Sequence, residues 1–187
     1  MRTKIHLMLA IALILPGGTA LAQDAAPKAE LFGGFSYMRT AAHNNVNGWN
    51  AQAAFNVNRW FGIAADFAGH YQTLNNNTGE PGSSVHTFLF GPQLSDRAGR
   101  ITGFAHALFG GARIGDNFRL FGQRVPGQGT SFAMALGGGI DANVDETFAV
   151  RIFQADYLRM SATSPFTNES EGRNNFRLSV GVVFKIK

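Results

Sequence analysis

The chain has 187 residues, a length that fits one domain, and its formal net charge is +4 at pH 7. It contains no cysteine, which excludes a disulfide framework, a thiolate metal site and a cysteine nucleophile. The lysine and arginine residues form no cluster or stripe, so we expect no nucleic-acid binding. The five histidines show no ligand spacing, and we expect neither a metal site nor a cofactor.

The N-terminus has the three parts of an export signal. Arg2 and Lys4 precede an apolar stretch at 5–15, a Pro-Gly-Gly break follows, and an A-L-A cleavage site lies at 20–22. The apolar stretch is too short to cross a bilayer as a helix, which takes roughly 20 residues. We therefore predict a cleaved signal at 1–22 and a mature domain at 23–187, whose charge is about +2 because the signal holds two of the basic residues.

Apolar and polar residues alternate repeatedly along the mature sequence, a pattern typical of β-strands with two different faces. The alternation predicts eight strands, at residues 29–39, 48–57, 60–71, 85–94, 101–113, 131–142, 147–159 and 175–187. The last strand alternates most regularly, with Phe176, Leu178, Val180, Val182, Phe184 and Ile186 on one face.

Three strands are harder to phase. The fourth and fifth carry apolar residues on both faces, and in the seventh Arg151 and Gln154 fall on opposite faces, so these phases stay open. We expect His106 of the fifth strand to face the interior, because an imidazole in lipid is costly. Pro92 removes a ladder hydrogen bond, and we expect the fourth strand to stop or bulge there.

The connections alternate between long and short. Long polar segments at 40–47, 72–84, 114–130 and 160–173 alternate with short turns at 58–59, 95–100 and 143–146. In an antiparallel meander this alternation places all long loops at one end. Together with strands of about ten residues, it predicts an all-β fold: an eight-stranded antiparallel up-and-down transmembrane β-barrel.

The Trp and Tyr residues provide a second indication. If the first strand runs outward, four of them fall at outer strand ends and Trp60 falls at an inner end. These are the positions of an interfacial aromatic girdle, formed by Tyr37, Trp49, Trp60, Tyr71 and Tyr157.

The mature chain resembles the small outer-membrane β-barrels of the OmpA transmembrane-domain and opacity-protein type. Its terminal strand is similar to the assembly signal of that family, through Ser179, Gly181, Phe184 and Ile186. The resemblance implies a location in the bacterial outer membrane, contact with its lipid, and recognition by the barrel-assembly machinery. The chain departs from the family pattern by ending on Lys187 rather than on an aromatic residue, and it lacks the peptidoglycan-binding domain of OmpA.

An eight-stranded barrel is just filled by its interior side chains. The alternation turns polar residues of both charge signs inward, and because a lone buried charge is costly we expect them to pair. We predict a polar network in the lumen from Glu30, Asn56, Asp66, His70, Asp141, Arg151 and Arg177, with Asn50, Gln52 and Asn175 as further inward candidates.

These features favour a monomeric outer-membrane protein with a structural or surface-interaction role, whose external loops contact an unknown extracellular ligand. Three alternatives stay open: a narrow ion-conducting pore, a lipid-modifying outer-membrane enzyme, and a soluble lipocalin-like periplasmic carrier. The enzyme alternative depends on His70 and His86, with Ser83, Ser84 and Glu80 nearby, and we expect no enzyme because no His-x-Ser arrangement lies on a strand. The carrier requires an apolar lining, which the polar face opposes.

Overall fold

The structure is a computed structural model that describes residues 26–41, 45–71, 83–120, 123–163 and 170–187. The predicted signal at 1–22 and most of the predicted loop at 72–84 lie outside these residues. Within them, no helix is long and apolar enough to cross a membrane.

Eight strands form one closed antiparallel barrel in which each strand pairs with the next and the last pairs with the first. This confirms the predicted fold class. The strands are β1 (Ala29–Arg39), β2 (Asn45–Asn56), β3 (Phe61–Tyr71), β4 (Ser83–Ala98), β5 (Ile101–Leu120), β6 (Gln123–Asn143), β7 (Phe148–Thr163) and β8 (Ser170–Ile186).

The register fixes how strongly the strands are tilted. A path that steps from each residue to the one directly opposite it goes once round the barrel and returns to β2 ten residues from its starting point. It runs through Asn56, Gly62, Gln93, His106, Gly137, Asp156, Arg177, Met38 and Val46. A stagger of this kind requires strands tilted to the barrel axis, and with eight strands it leaves an interior that side chains fill.

The two faces of the barrel differ as the alternation predicts. Large apolar side chains face outward, such as Phe35, which is 54% exposed, and Val182, which is 60% exposed. Polar and charged side chains are buried inside, including Arg151 and Arg177. A closed barrel that is apolar outside and polar inside is the arrangement of a transmembrane barrel. The lipocalin-like alternative is wrong, because its lumen would be apolar.

The expectation for Pro92 is wrong, because β4 continues to Ala98 without a bulge. Pairing with β3 is unbroken here, including Ile63 opposite Pro92. On the β5 side the pairing stops at Phe90–Phe109 and resumes in the same register at Gln93–His106. The missing N–H therefore interrupts one ladder locally, while the other keeps the strand in place.

A β-bulge in β7 resolves the ambiguous phase of that strand. The register shifts between Arg151 and Gln154 against β8, and between Ile140 and Asp141 against β6. One extra residue on β7 leaves Ile152 and Phe153 both exposed, and it returns Arg151 and Gln154 to the same inward face.

Two of the expected loops and one expected turn are wrong in extent. β5 and β6 pair up to Leu120 and Gln123, so the segment 114–130 is mostly a β-ribbon rather than a loop. β7 and β8 likewise extend to Thr163 and Ser170, which shortens the connection expected at 160–173. The turn expected at 95–100 is confined to Gly99 and Arg100, with Gly99 at a φ of 59° that glycine adopts readily. We call the outer part of β5 and β6, residues 114–120 and 123–129, the outer ribbon.

The two other turns at the inner rim have one design. The carboxamide Oδ1 of Asn58 accepts the backbone N–H groups of Trp60 and Phe61, at 2.9 and 2.8 Å. In the β6–β7 turn, Oδ1 of Asp145 accepts those of Thr147 and Phe148, both at 2.7 Å. These bonds hold the pKa of the Asp145 carboxyl below its usual value, because they stabilise its ionised form.

Candidate functional site

The lumen contains a connected network of charged and amide side chains, centred on Arg177 of β8. Its Nη1 donates to Asp66 Oδ1 at 2.8 Å, and its Nε donates to Asp156 Oδ2 at 2.9 Å. Nη2 also lies 2.7 Å from Asp156 Oδ2. Asn50 Nδ2 donates to the remaining Asp66 oxygen at 2.8 Å. Arg177 is fully buried and is held by carboxylates from β3 and β7 at once.

A second arginine, Arg151, occupies the inner part of the same network. It binds Asp141 with two donors, Nε to Oδ1 at 2.8 Å and Nη2 to Oδ2 at 3.1 Å. The guanidinium carbon lies 4.2 Å from the ring centroid of Phe32 and 4.1 Å from that of Phe104. Two aromatic rings and a two-point carboxylate contact fix this side chain in one orientation.

Amide groups join the two arginines. Arg151 Nη1 donates to the side-chain oxygens of Gln52 and Gln154, at 2.9 and 2.6 Å. Gln154 Nε2 then donates to Asp156 Oδ2 at 2.8 Å. Because the oxygen of Gln52 faces Arg151, its NH₂ group donates to His106 Nδ1, 3.3 Å away. His106 Nδ1 is therefore the acceptor, and His106 Nε2 carries the proton and donates to Asp156 Oδ1 at 2.8 Å. Every charged member therefore has a partner of opposite sign or a donor.

The structure places the seven predicted lumen residues in four different settings, of which Asn56 occupies the last. Asp66, Asp141, Arg151 and Arg177 join the network. Glu30 is buried but forms a separate ion pair with Arg97 near the inner rim, at 2.9 Å. His70 Nε2 lies 2.9 Å from Ser36 Oγ, which also accepts from Ser179 Oγ, at 3.0 Å.

The prediction for Asn56 is wrong. This residue ends β2, and its Nδ2 donates to the backbone oxygen of Pro27 at 2.8 Å. At the strand end an unpaired carbonyl is closer than any network side chain, so Asn56 ties the segment before β1 to the barrel wall.

Asp156 and Gln154 are central to the network, and the sequence reasoning missed both. A strict period of two cannot place Arg151 and Gln154 on one face, because their separation is odd. The sequence does contain one signal: polar residues at 151, 154 and 156 become consistent with one face only if the strand gains one residue between 151 and 154.

An apolar layer closes the lumen on the outer side of the network. It consists of buried inward-facing side chains, namely Met38, Val46, Leu89, Leu108, Leu158 and Met160. Leu108 lies two residues beyond His106, and Leu158 two residues beyond Asp156, each toward the outer end of its strand. The alternation places both on the same face as the network residues. A water or ion must therefore pass a packed apolar layer before it reaches the charged groups.

Of the five predicted girdle residues, Tyr37 and Tyr71 lie at or near outer strand ends and Trp60 lies in an inner turn, whereas Trp49 lies four residues inside β2. Tyr157 is six residues from the end of β7, because that strand continues to Thr163. Trp49 and Tyr71 are 44% and 47% exposed, and Trp49 Nε1 donates to Tyr71 Oη at 3.4 Å. Tyr71 Oη also lies 3.2 Å from His86 Nε2. Tyr157 and Tyr37 stand at the outer side as well, and Trp60 stands at the inner turn.

The histidines of the enzyme alternative do not share a site. His70 is buried in the lumen beside Ser36, whereas His86 faces outward beside Tyr71. The barrel wall separates them, so they form no common arrangement with Ser84. Among the described residues, no group of three or more His, Cys, Asp or Glu side chains could hold a metal ion.

The predicted assembly-signal residues lie in the strand that closes the barrel. Ser179 faces the lumen, while Phe184 and Ile186 face outward, 41% exposed each. Phe184 is opposite Leu31 of β1 and Phe148 of β7, and it contacts the Phe148 ring edge-on at 5.2 Å between centroids. Gly181 has Gly34 of β1 opposite it, and a Cβ on Gly181 would lie 2.5 Å from the Gly34 Cα.

Comparison with solved structures shows what kind of barrel this is. No family model matches the sequence, and no curated protein matches it. The structure is similar to Ail, the attachment invasion locus protein of Yersinia pestis, at a TM-score of 0.59 and 15% identity over 88% of this chain and 100% of Ail. It is also similar to Neisserial surface protein A, at a TM-score of 0.60 and 13% identity over 84% of this chain and 96% of that protein.

A third similar structure is OprG, an outer-membrane protein of Pseudomonas aeruginosa, with a TM-score of 0.54 and 9% identity over 87% of this chain and 97% of OprG. The chain thus has the fold of the small eight-stranded outer-membrane β-barrels, which confirms the resemblance inferred from its sequence. At these identities the likeness concerns the fold.

Proposed function

We propose that this protein is a monomeric, integral barrel of the bacterial outer membrane, that it neither conducts ions nor catalyses a reaction, and that its outer ribbon mediates surface interaction. The observation that carries this proposal is the contrast between the sealed lumen and the projecting ribbon. The lumen is filled by paired charges and an apolar layer, so little room is left there for a substrate or a path. On β5 the ribbon extends past Asp116, the last residue that pairs with β4, and on β6 it lies before Phe132, the first residue that pairs with β7.

The length of the ribbon supports this role. The β4 ladder ends opposite Asp116 and the β7 ladder begins opposite Phe132, whereas β5 and β6 stay paired with each other up to Leu120 and Gln123. Past the β4 ladder, at ~3.3 Å per residue, the four residues from Asn117 to Leu120 add roughly 13 Å of strand. A paired ribbon presents its surface with less loss of conformational entropy on binding than an irregular loop does.

The charge of the ribbon indicates the kind of partner. Its sequence from 113 to 130 contains three arginines, at 113, 119 and 124, and one acid, Asp116. A cationic projection favours an anionic polymer on the opposing surface. Ail, whose fold is similar, was crystallised in complex with the heparin analogue sucrose octasulfate, which makes heparin a practical probe.

The ribbon can be tested by shortening it. Replacing residues 116–127 with an Asn-Gly turn should leave a folded barrel, because no residue of that segment pairs with β7 in the described ladders and only Asp116 pairs with β4. We expect cells that display the full protein to adhere to a heparin-coated surface above the empty-vector level, and cells with the short ribbon to lose that adhesion. Folding is checked by the gel shift between boiled and unboiled samples.

Two outcomes would contradict the surface role. Equal adhesion of the full and shortened proteins would show that the ribbon does not mediate the surface interaction. Adhesion of the full protein at the empty-vector level would show that an anionic polymer is not its partner. Identical migration of boiled and unboiled extracts, with the protein in the soluble fraction, would overturn the membrane barrel itself.

We further propose that β8 carries the signal for the barrel-assembly machinery. Phe184 and Val182 both face outward on β8, 41% and 60% exposed, but only Phe184 occupies a signal position. Phe184→Asp should therefore reduce the amount of barrel in the outer membrane far more than Val182→Asp, as measured by blotting of membrane fractions. Equal reductions would show that only a charge on the lipid face matters.

A further inference from the structure

An open groove of about 450 Å³ lies at the outer rim, where β7, β8 and β1 meet. Arg39 of β1 is directly opposite Phe176 of β8, which is opposite Tyr157 of β7, so the groove crosses three adjacent strands. Its lining combines one guanidinium group, two aromatic rings, two hydroxyl groups and two amides, from Arg39, Thr40, Ala41, Tyr157, Asn174, Asn175 and Phe176.

A second guanidinium group flanks this groove. Arg159 of β7 is exposed, and in the β7–β8 register it is directly opposite Asn174, which lines the groove. Arg159 of β7 is thus opposite Asn174, and Arg39 of β1 is opposite Phe176, two residues further along β8. Arginine presents several N–H donors in a planar fork that matches a phosphate group.

Three arginines are exposed on the outer half of the barrel wall. Arg39 ends β1, whereas Arg113 and Arg159 lie seven and four residues before the outer ends of β5 and β7, and all three are exposed. Every carboxylate whose side chain the structure describes lies in the lumen or near the inner rim, namely Glu30, Asp66, Asp96, Asp141, Asp145, Glu146 and Asp156. No described acidic side chain therefore neutralises the groove.

The height of the groove sets the ligand that it meets. Tyr157 lines it, and Tyr157 is one of the aromatic residues expected at the interface between lipid and water. A side chain at this level contacts lipid headgroups rather than acyl chains, and basic pockets at this level bind anionic headgroups. The aromatic walls suit the apolar face of a sugar ring.

We propose that this groove binds the phosphorylated sugar headgroup of an outer-leaflet lipid, with Arg39 and Arg159 on the phosphate and Tyr157 against the sugar. The proposal depends on the membrane embedding stated under the proposed function. It assigns no role to the outer ribbon.

The test uses the refolded full-length mature chain in nanodiscs of phosphatidylcholine that contain a few per cent of diphosphorylated lipid A. The lipid A retained per protein after affinity purification is measured by native mass spectrometry. The Arg39→Gln/Arg159→Gln variant should retain about tenfold less, because losing two charge-assisted contacts weakens binding by at least that factor. Arg100→Gln, an exposed arginine at the inner turn, and Arg113→Gln, on the outer half of the barrel wall away from the groove, should retain the wild-type amount.

Each arm separates one explanation. Equal retention by wild type and the double variant overturns the proposal, and so does an equal loss in Arg113→Gln, which would indicate diffuse attraction by the exposed arginines. Competition by inorganic phosphate at millimolar concentration with no preference for lipid A would make the ligand free phosphate and overturn the lipid assignment. Failure of the wild type to enter nanodiscs would refute the membrane barrel, whereas normal insertion without lipid A retention would refute the groove alone.

Discussion

The inner and outer parts of the barrel lumen are filled by side chains of opposite character. The inner and central part is filled by charges that hold one another, from Asp141 and Arg151 to Arg177 and Asp66. The outer part is filled by an apolar layer that includes Met38, Leu158 and Met160. The first depends on complete pairing, because each charge left alone is costly, and the second depends on volume alone.

This difference assigns separate roles. Directional contacts in the network join side chains from β2, β3, β5, β6, β7 and β8, so they fix how distant strands face one another across the lumen. The apolar layer adds little orientation but excludes water from the charges beneath it. A defect in the network should therefore be costly in stability, while a defect in the layer should affect stability and sealing together.

The largest effect should come from Asp156→Ala. This carboxylate contacts Arg177, His106 and Gln154, all of which would lose a partner inside the lumen. We expect a loss of about 3–5 kcal/mol in the free energy of unfolding, as for removal of one member of a buried ion pair. Chemical denaturation in lipid vesicles measures it. Asp96→Ala, which removes an exposed carboxylate near the inner turn, should change the stability by less than about 0.5 kcal/mol.

Leu158→Ala should cause the next largest loss of stability. The side chain is fully buried in the apolar layer, and truncation leaves a cavity that costs about 3 kcal/mol by the same measurement. Leu178→Ala is the matched control, because Leu178 faces outward, is 39% exposed, and lipid can fill the space that it leaves. Equal losses for the two leucines would show that the layer is not a packed seal.

A double-mutant cycle on Asp156 and Arg177 should reveal how far the network acts as a unit. The two groups are in direct contact, so the loss in Asp156→Ala/Arg177→Ala should be smaller than the sum of the single losses by about 1–3 kcal/mol. The same cycle on Asp156 and Leu158, which make no hydrogen bond with each other, should be closer to additive. Additivity in both cycles would contradict the contrast between network and layer.

The smallest effect should come from the turns outside the lumen. The pKa of Asp145 is lowered in the folded state, so its contribution to stability is present above the unfolded value of 3.8 and is lost as the pH falls through the lower folded value. Asp145→Ala should therefore be less stable than wild type at neutral pH, and the two should converge in acid. Asn58→Ala removes the same two backbone contacts without a titrating group, and its deficit should not depend on this titration.

The sequence predicts most of the barrel wall, and the reason is visible in β8. From Asn175 to Ile186 each inward residue is polar or small apart from Val183, each outward residue is apolar, and one period describes the whole stretch. The prediction from this alternation fails where the period of two is interrupted. The extra residue at Ile152 hides Asp156 and Gln154, and a proline and several glycines make the outer ribbon look like a loop although its backbone is paired. Partners across the lumen, such as Arg177 and Asp66, depend on the stagger of the whole barrel, which no single strand contains.

The most direct measurement of the sealed lumen is single-channel recording of the refolded mature protein in a planar lipid bilayer. With the apolar layer intact, we predict no stepwise current above the lipid baseline under an applied voltage. Its matched variant, Leu158→Asn with Met160→Asn, should admit water to the network and give measurable steps. Stable, discrete openings of the wild-type protein would contradict the sealed lumen and would favour an ion-conducting pore.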